Sequence, residues 1–156
     1  MYSPYNIEKY PNRRNPRLKN FDYASNKAYF LTVCTDNKKC LFGNPEELNF
    51  FGEIAKRGLL ELETHYSGIR VDKMVVMPNH IHLILVLNDN SATVSSVIGS
   101  FKSYVSREIH KVQPDLVVWQ KSFHDHIIRN EGEYQKIWLY IEGNPQNWNK
   151  DCFYME

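Results

Sequence analysis

Two histidines, His80 and His82, are separated by a single residue at the start of a strongly apolar run. Side chains alternate across a β-strand, so both imidazoles are expected on one face of the strand, two positions apart. Two neutral imidazoles in that arrangement can bind one divalent metal ion. The alternative is a pair of half-exposed histidines at a strand end, and the His-x-His pattern alone leaves both interpretations open.

A tyrosine and an asparagine, Tyr140 and Asn144, lie four residues apart in a segment whose pattern predicts a helix. The apolar stripe of that helix, at positions i, i+3, i+4 and i+7, is Tyr134, Ile137, Trp138 and Ile141. Tyr140 is expected about a quarter-turn to one side of this stripe, on the face it shares with Asn144. The pair could face a sheet edge that carries the two histidines. The alternative is an interfacial tyrosine with a hydrated hydroxyl, followed by an asparagine that ends the helix.

The elements that must position these residues follow from the hydrophobic pattern. Strands are predicted at residues 29–35, 69–77 and 80–87, with a further extended segment at residues 117–128. Helices are predicted at residues 45–65, 93–110 and 131–143, the first because Asn44-Pro45-Glu46-Glu47 is typical of a helix start. The order β-α-β-β-α-β-α predicts an α+β, ferredoxin-like antiparallel sheet with two helices on one face and an additional C-terminal helix.

Length and composition are typical of one ordinary globular domain. The chain has 156 residues, of which 42% are hydrophobic and 24% charged. No apolar run approaches the roughly 20 residues of a membrane span, and the first residues do not resemble a signal peptide, so we expect a cytoplasmic protein. Three cysteines, Cys34, Cys40 and Cys152, have no Cys-x-x-Cys spacing, which argues against a disulfide framework and a zinc knuckle.

Positive charge is concentrated in residues 1–40, which hold eight Lys or Arg against three Asp or Glu, whereas the remainder holds 11 against 15. The basic cluster there could bind phosphate groups, and a solvated tail would have the same composition. Its members are Arg13, Arg14, Arg17 and Lys19. We interpret residues 1–28 as a basic arm, residues 29–150 as a single domain and residues 151–156 as a tail.

Five stretches of the chain form a more specific pattern. Two of them are Val76-Met77-Pro78-Asn79-His80-Ile81-His82-Leu83 and Tyr140-Ile141-Glu142 with Asn144-Pro145. The others are Phe21-Asp22-Tyr23, Ala28-Tyr29-Phe30-Leu31-Thr32, and Trp119-Gln120 with Phe123, Asp125 and Ile128-Arg129. In this order, over about residues 15 to 150, the pattern resembles the REP-associated tyrosine transposases and the related small single-tyrosine HUH transposases of insertion sequences.

The resemblance implies a metal-dependent enzyme that cleaves and rejoins single-stranded DNA beside hairpins or palindromes. It implies that His80 and His82 bind Mg²⁺ or Mn²⁺, with Asn144 as a third ligand, where insertion-sequence members often have glutamine. Tyr140 would attack phosphorus and form a 5′-phosphotyrosine. A homodimer is also compatible with the class, because the last helix can complete the active site of its own chain or of a partner.

DNA binding requires cations for phosphates, and the chain offers several candidates whose charge could equally be solvated surface. The candidates are Arg13, Arg14, Arg17, Lys102, Arg107 and Arg129. His124 and His126 have no assigned role. Two rival functions are a domesticated, non-catalytic nucleic-acid-binding protein of the same fold and a two-histidine phosphoesterase, although the latter class needs two His-x-Thr/Ser motifs.

Overall fold

A computed structural model describes residues 27–88, 92–151 and 153–155. In chain order the strands are β1 (Lys27–Cys34), β2 (Gly43–Asn44), β3 (Glu47–Leu48), β4 (Ile69–Met77), β5 (His80–Leu87) and β6 (His124–Ile128). The helices are α1 (Phe50–Leu60), α2 (Leu62–His65), α3 (Val94–His110) and α4 (Glu131–Gly143), with short 3₁₀ helices at Asp36–Lys38 and Pro145–Lys150. The predicted basic arm lies almost wholly outside the described residues, and so do Arg13, Arg14, Arg17 and Phe21-Asp22-Tyr23.

The main sheet has four strands in the order β4-β5-β1-β6, and every neighbouring pair is antiparallel. This is the strand order of the ferredoxin-like fold, so the predicted α+β class is confirmed. Strand β5 lies in the interior of the sheet, and all its residues are buried. A central strand with both faces covered is expected to be apolar nearly throughout, which explains the run that follows His82.

The two faces of the sheet are covered by different helices. Helices α1 and α3 pack on the face that carries alternate residues of β1 and β5, namely Leu31, Val33, Ile81, Leu83, Leu85 and Leu87. Helix α4 packs on the opposite face against Ala28, Phe30, Ile84, Val86 and Ile128. By strand alternation His80 and His82 belong to the α4 face. The fold thus places the histidine strand directly against the last helix.

The start of the first helix differs from its prediction. Asn44 lies in the small β2-β3 hairpin, where its Oδ1 accepts the backbone N–H of Glu46 at 2.9 Å and Gly43 has a φ of 82°. Helix α1 begins at Phe50, after Asn49 caps it by accepting the N–H of Gly52 at 2.9 Å. An asparagine before proline can stabilise a turn as readily as a helix start, and here the second asparagine provides the cap.

The segment predicted as extended over residues 117–128 contains only one regular strand, β6. Its first half is connected to the sheet by an isolated bridge between Thr35 and Trp119. No helix within the described residues is long and apolar enough to cross a membrane.

Candidate functional site

The imidazoles of His80 and His82 lie side by side beneath helix α4. Their ring centroids are 4.6 Å apart, and both side chains are 0% exposed. The interpretation of two half-exposed histidines is therefore wrong. The shared face follows from the alternation of side chains along β5.

Asn79, in the turn between β4 and β5, orients the first of these rings. Its amide nitrogen donates to the backbone carbonyls of Lys38 and Phe153 at 3.2 and 2.7 Å. Its Oδ1 is then the acceptor for His80 Nδ1, at 2.8 Å. Because Nδ1 carries the proton of the neutral ring, the lone pair of His80 is on Nε2.

The second ring is held between a strand and the last helix. The hydroxyl of Thr32, its cross-strand neighbour on β1, is 2.9 Å from His82 Nδ1. On the other side, His82 Nε2 lies 3.5 Å from the hydroxyl oxygen of Tyr140. Both imidazoles thus have their Nδ1 atoms engaged by protein groups, an arrangement typical of histidines that bind metals through Nε2.

Burial keeps these rings neutral. It lowers the pKa of His80 from its usual 6.5 to about 4, although the nearby carboxylate of Asp151 and the Asn144 side chain act in the opposite direction. Burial also lowers the pKa of His82 well below its usual value, and the neighbouring His80 lowers it further. Neutral imidazole is the form that binds metal ions.

Tyr140 is more deeply buried than the predicted helix geometry suggested. It is 7% exposed, and its ring meets Phe30 edge-on at 6.2 Å between centroids. Trp138, expected in the stripe, instead lies partly exposed with Lys73 above its ring at 4.0 Å. The buried face of α4 is therefore centred on Ile137, and this rotation directs the Tyr140 hydroxyl to the histidines.

The chain beyond α4 returns to the same point. Asn144 is 2% exposed, and its Nδ2 donates to Asp151 Oδ2 at 3.0 Å. That oxygen is 3.7 Å from His80 Nε2. The potential ligand atoms of His80, His82 and Asp151 all lie within 4.8 Å of one another, so these three residues could hold a metal ion.

Asp151 was not among the residues singled out from the sequence. An aspartate seven positions after Asn144 has no periodic relation to it, and only the 3₁₀ helix Pro145–Lys150 brings it back. Asp151 is the first residue of the segment interpreted from the sequence as a tail, and its Oδ2 lies 3.7 Å from His80 Nε2.

Two buried acceptor atoms at this site lack hydrogen-bond partners within the described part of the chain. They are Nε2 of His80 and Oδ1 of Asn144. Burying such an atom without a partner is unfavourable by about 1–3 kcal/mol. Both are lone-pair donors of the kind that ligate divalent cations, so the donor set fits a metal ion.

Aromatic side chains and one cation surround His80. The Phe153 ring lies 4.6 Å and the Trp148 ring 6.0 Å from the His80 ring, measured between centroids. The ammonium of Lys38 is 5.4 Å from the Phe153 centroid, and its charge contributes to lowering the pKa of His80. Lys38 was counted in the basic N-terminal region but not recognised as a site residue, because only the chain reversal after β1 brings it here.

The remaining predicted DNA-binding residues are dispersed. Lys102 and Arg107 are on α3, across the sheet from the histidines. The ammonium of Lys102 donates to the carbonyls of Gln120 and Ser122 at 2.8 and 3.1 Å, which connects α3 to the loop before β6. Arg129 is exposed between β6 and α4. Its DNA contacts, like those of the other two, stay predictions.

The two unassigned histidines lie on β6. His124 is exposed and pairs across the strands with Thr32, which itself pairs with His82. His126 Nε2 contacts Glu133 Oε1 of α4. Both belong to the sheet face that α4 covers, outside the buried group.

Comparison with known sequences gives a consistent result. A family model described as Transposase IS200 like matches residues 25–144. An uncharacterized protein of Haemophilus influenzae is 32% identical over 169 residues, covering 92% of this chain and 94% of that protein. Another H. influenzae protein, provisionally named a REP-associated tyrosine transposase, is 23% identical over 134 residues, covering 80% of this chain and 73% of that protein.

Solved structures show the same fold. One is a REP-associated tyrosine transposase bound to a REP hairpin, with a TM-score of 0.63 and 19% identity, covering 89% of this chain and 73% of that chain. Another, from Deinococcus radiodurans R1 and provisionally described as a transposase, has a TM-score of 0.54 and 20% identity, covering 75% and 90%. At these identities the likeness concerns the fold alone.

Proposed function

The chain belongs to the IS200-like transposase family, and from this premise we propose that it cleaves and rejoins single-stranded DNA through Tyr140. Membership confirms the family predicted from the sequence and makes the chain a transposase-like DNA-binding protein. The chemistry is a proposal supported mainly by one observation. The Tyr140 hydroxyl lies against a buried group of metal-ligating side chains, 3.5 Å from His82.

His80, His82 and Asn144 would hold Mg²⁺ or Mn²⁺. This assignment is supported by His80 Nε2 and Asn144 Oδ1, which are buried without a hydrogen-bond partner among the described residues, and by His82 Nε2, which lies beside the Tyr140 hydroxyl. When bound, such an ion neutralises the phosphodiester oxygens and favours the phenolate over the phenol. The protein itself supplies orientation, since Asn79 and Thr32 fix the rotation of the two imidazoles.

Tyr140 would be the nucleophile. Its hydroxyl oxygen attacks phosphorus, the bond from phosphorus to the 3′ oxygen breaks, and the products are a 5′-phosphotyrosine and a free 3′-hydroxyl. The proton lost by the phenol balances the one gained by the leaving oxygen. Because the covalent link retains the energy of the phosphodiester, a second 3′-hydroxyl can reverse the step and join a new strand. Burial of the ring provides the fixed geometry that in-line attack requires.

The DNA would approach from the β6 side or along the C-terminal segment. Lys38, beside Phe153, is a described cation close to the site and could contact a phosphate there, whereas Arg129 follows the end of β6 that lies away from His82. A hairpin is the bound partner named for one solved relative, so single-stranded DNA next to a hairpin is the proposed substrate. A homodimer stays a prediction.

Nicking of a labelled oligonucleotide tests the proposal. The oligonucleotide carries the palindromes that flank the gene, and the full chain should cut it with Mn²⁺ but not with EDTA. Binding without cutting under both conditions would instead favour the domesticated, non-catalytic alternative. The variant His82→Ala should bind the DNA without cutting it, whereas His65→Ala, which changes an exposed histidine of α2, should cut normally.

A further inference from the structure

Asp151 lies where the C-terminal segment meets the histidines. Its side chain is fully buried, and its Oδ2 is 3.7 Å from His80 Nε2, too far for a hydrogen bond. We propose that the Asp151 carboxylate is an additional protein ligand of the metal ion, supplied by the segment that follows α4. This inference rests on the proposed function, which itself needs only His80, His82 and Asn144.

The spacing of the donor atoms fits a single ion. With metal–oxygen bonds of about 2.1 Å, neighbouring ligands are about 3.0 Å apart and opposite ligands about 4.2 Å apart. The 3.7 Å between His80 Nε2 and Asp151 Oδ2 lies within these limits. The widest separation in the group with His82 is at most 4.8 Å. Bringing even two atoms 4.8 Å apart to the roughly 4.2 Å that separates opposite ligands requires a shift of only about 0.6 Å.

Two hydrogen bonds to Asp151 come from neutral groups next to the site. Oδ1 accepts the backbone N–H of Phe153 at 2.8 Å, and Oδ2 accepts the amide of Asn144 at 3.0 Å. A buried carboxylate is costly unless a cation or several hydrogen bonds compensate for lost hydration. A divalent ion between Asp151 and His80 would add positive charge beside this carboxylate. A carboxylate also makes the donor set harder, which suits Mg²⁺ or Mn²⁺.

Asp151 also determines which atom of Asn144 can reach the ion. Because the Asn144 amide nitrogen donates to Asp151, its Oδ1 is the remaining ligand atom. Tyr140, Asn144 and Asp151 belong to one continuous stretch of α4 and the following 3₁₀ helix. Metal binding to both ends of this stretch would hold the nucleophile against its own sheet.

Mn²⁺ titration of the full chain, followed by the electron paramagnetic resonance signal of free Mn²⁺, tests the proposal. Asp151→Asn keeps the size and an acceptor oxygen but removes the charge, so its Mn²⁺ affinity should fall at least about tenfold. Asp151→Glu keeps the carboxylate and should bind more tightly than Asp151→Asn. The matched control is Asp115→Asn, an exposed aspartate in the loop after α3, which should bind like the wild type.

Thermal unfolding separates ligation from folding. In EDTA the Tm of Asp151→Asn should stay close to that of the wild type, while the rise in Tm caused by Mn²⁺ should largely disappear. Equal Mn²⁺ affinity in Asp151→Asn and the wild type, or no advantage of Asp151→Glu, would overturn the role of Asp151 and leave the metal site intact. Failure of the wild type to bind millimolar Mn²⁺ would overturn both this role and the metal-dependent function.

Discussion

The hydroxyl oxygen of Tyr140 lies 3.5 Å from Nε2 of His82, although 58 positions separate the two residues in the chain. The contact joins the last helix to the histidine strand across the face of the sheet. Phe30 supports both rings, stacking on His82 at 5.2 Å and meeting Tyr140 edge-on at 6.2 Å between centroids. Packing thus fixes the relation between the proposed nucleophile and a proposed ligand.

The metal-free protein should lose stability as the pH falls from about 6.5 to about 4. In this window an unfolded His80 gains a proton, whereas the folded one, with its pKa lowered to about 4, does not. Proton uptake by the unfolded state lowers the free energy of unfolding, by roughly 3 kcal/mol once both states are protonated. Urea midpoints in EDTA at several pH values measure this loss.

A variant isolates the contribution of His80 from the general effect of acid. His80→Gln should show a flatter pH dependence than the wild type, and His65→Gln, at an exposed position, should follow the wild type. Identical pH profiles for His80→Gln and the wild type would show that the buried His80 does not cause the loss of stability at low pH.

Asn79→Ala should weaken Mn²⁺ binding by about 10- to 100-fold even though Asn79 is not a proposed ligand. The substitution removes the acceptor that holds the proton on His80 Nδ1, and such supporting partners typically contribute this much affinity. Calorimetric titration with Mn²⁺ measures the change, and Gln113→Ala, at an exposed position, is the control. An unaltered Mn²⁺ affinity in Asn79→Ala would show that Asn79 does not orient His80 for metal binding.

The two asparagines before α1 should differ in their importance for stability. Asn49→Ala removes the observed cap and should lower the free energy of unfolding by about 1 kcal/mol. Asn44→Ala affects only an exposed turn and should cost less than about 0.5 kcal/mol. Chemical denaturation of both variants measures the difference, and the reverse order would support a helix start at Pro45.

The sequence predicted the fold well where the pattern is local. Strands β4 and β5 and helix α4 have the predicted bounds, because alternation, a turn at Pro78-Asn79 and a stop at Gly143-Asn144-Pro145 define them. The shared face of His80 and His82 followed from alternation in the same way. At Asn44 the residue spacing is equally compatible with a turn and with a helix start, so the sequence alone did not distinguish them.

Contacts that depend on the return of the chain could not be predicted. Asp151 and Lys38 reach His80 only through a 3₁₀ helix and a reversal after β1, neither of which has a strong periodic signal. The depth of Tyr140 depends on how α4 rotates when it packs, which the sheet determines. Spacing within α4 alone placed Tyr140 beside the stripe instead of within the buried face.

The basic arm should contribute to DNA affinity through charge. Replacing Arg13, Arg14 and Arg17 with alanine should weaken binding of single-stranded DNA and reduce the slope of log affinity against log salt by about 2, since each single-strand phosphate contact contributes about 0.7. Fluorescence anisotropy at several salt concentrations measures the slope. The control replaces three exposed cations of α1 and the end of α3, Lys56, Arg57 and Lys111. An equal slope in both triple variants would assign the arm to solubility.

The most direct test of the proposed mechanism is to remove the hydroxyl group of Tyr140. Tyr140→Phe removes the proposed nucleophile but keeps the ring against Phe30, and should cost less than about 1 kcal/mol of stability. Tyr104→Phe, on α3 across the sheet, is the matched control. With Mn²⁺ and single-stranded DNA from the flanking palindromes, the wild type and Tyr104→Phe should form a covalent protein–DNA adduct on a denaturing gel, and Tyr140→Phe should bind DNA and metal without forming it. An adduct of normal yield with Tyr140→Phe would contradict the account, because another residue would then be the nucleophile.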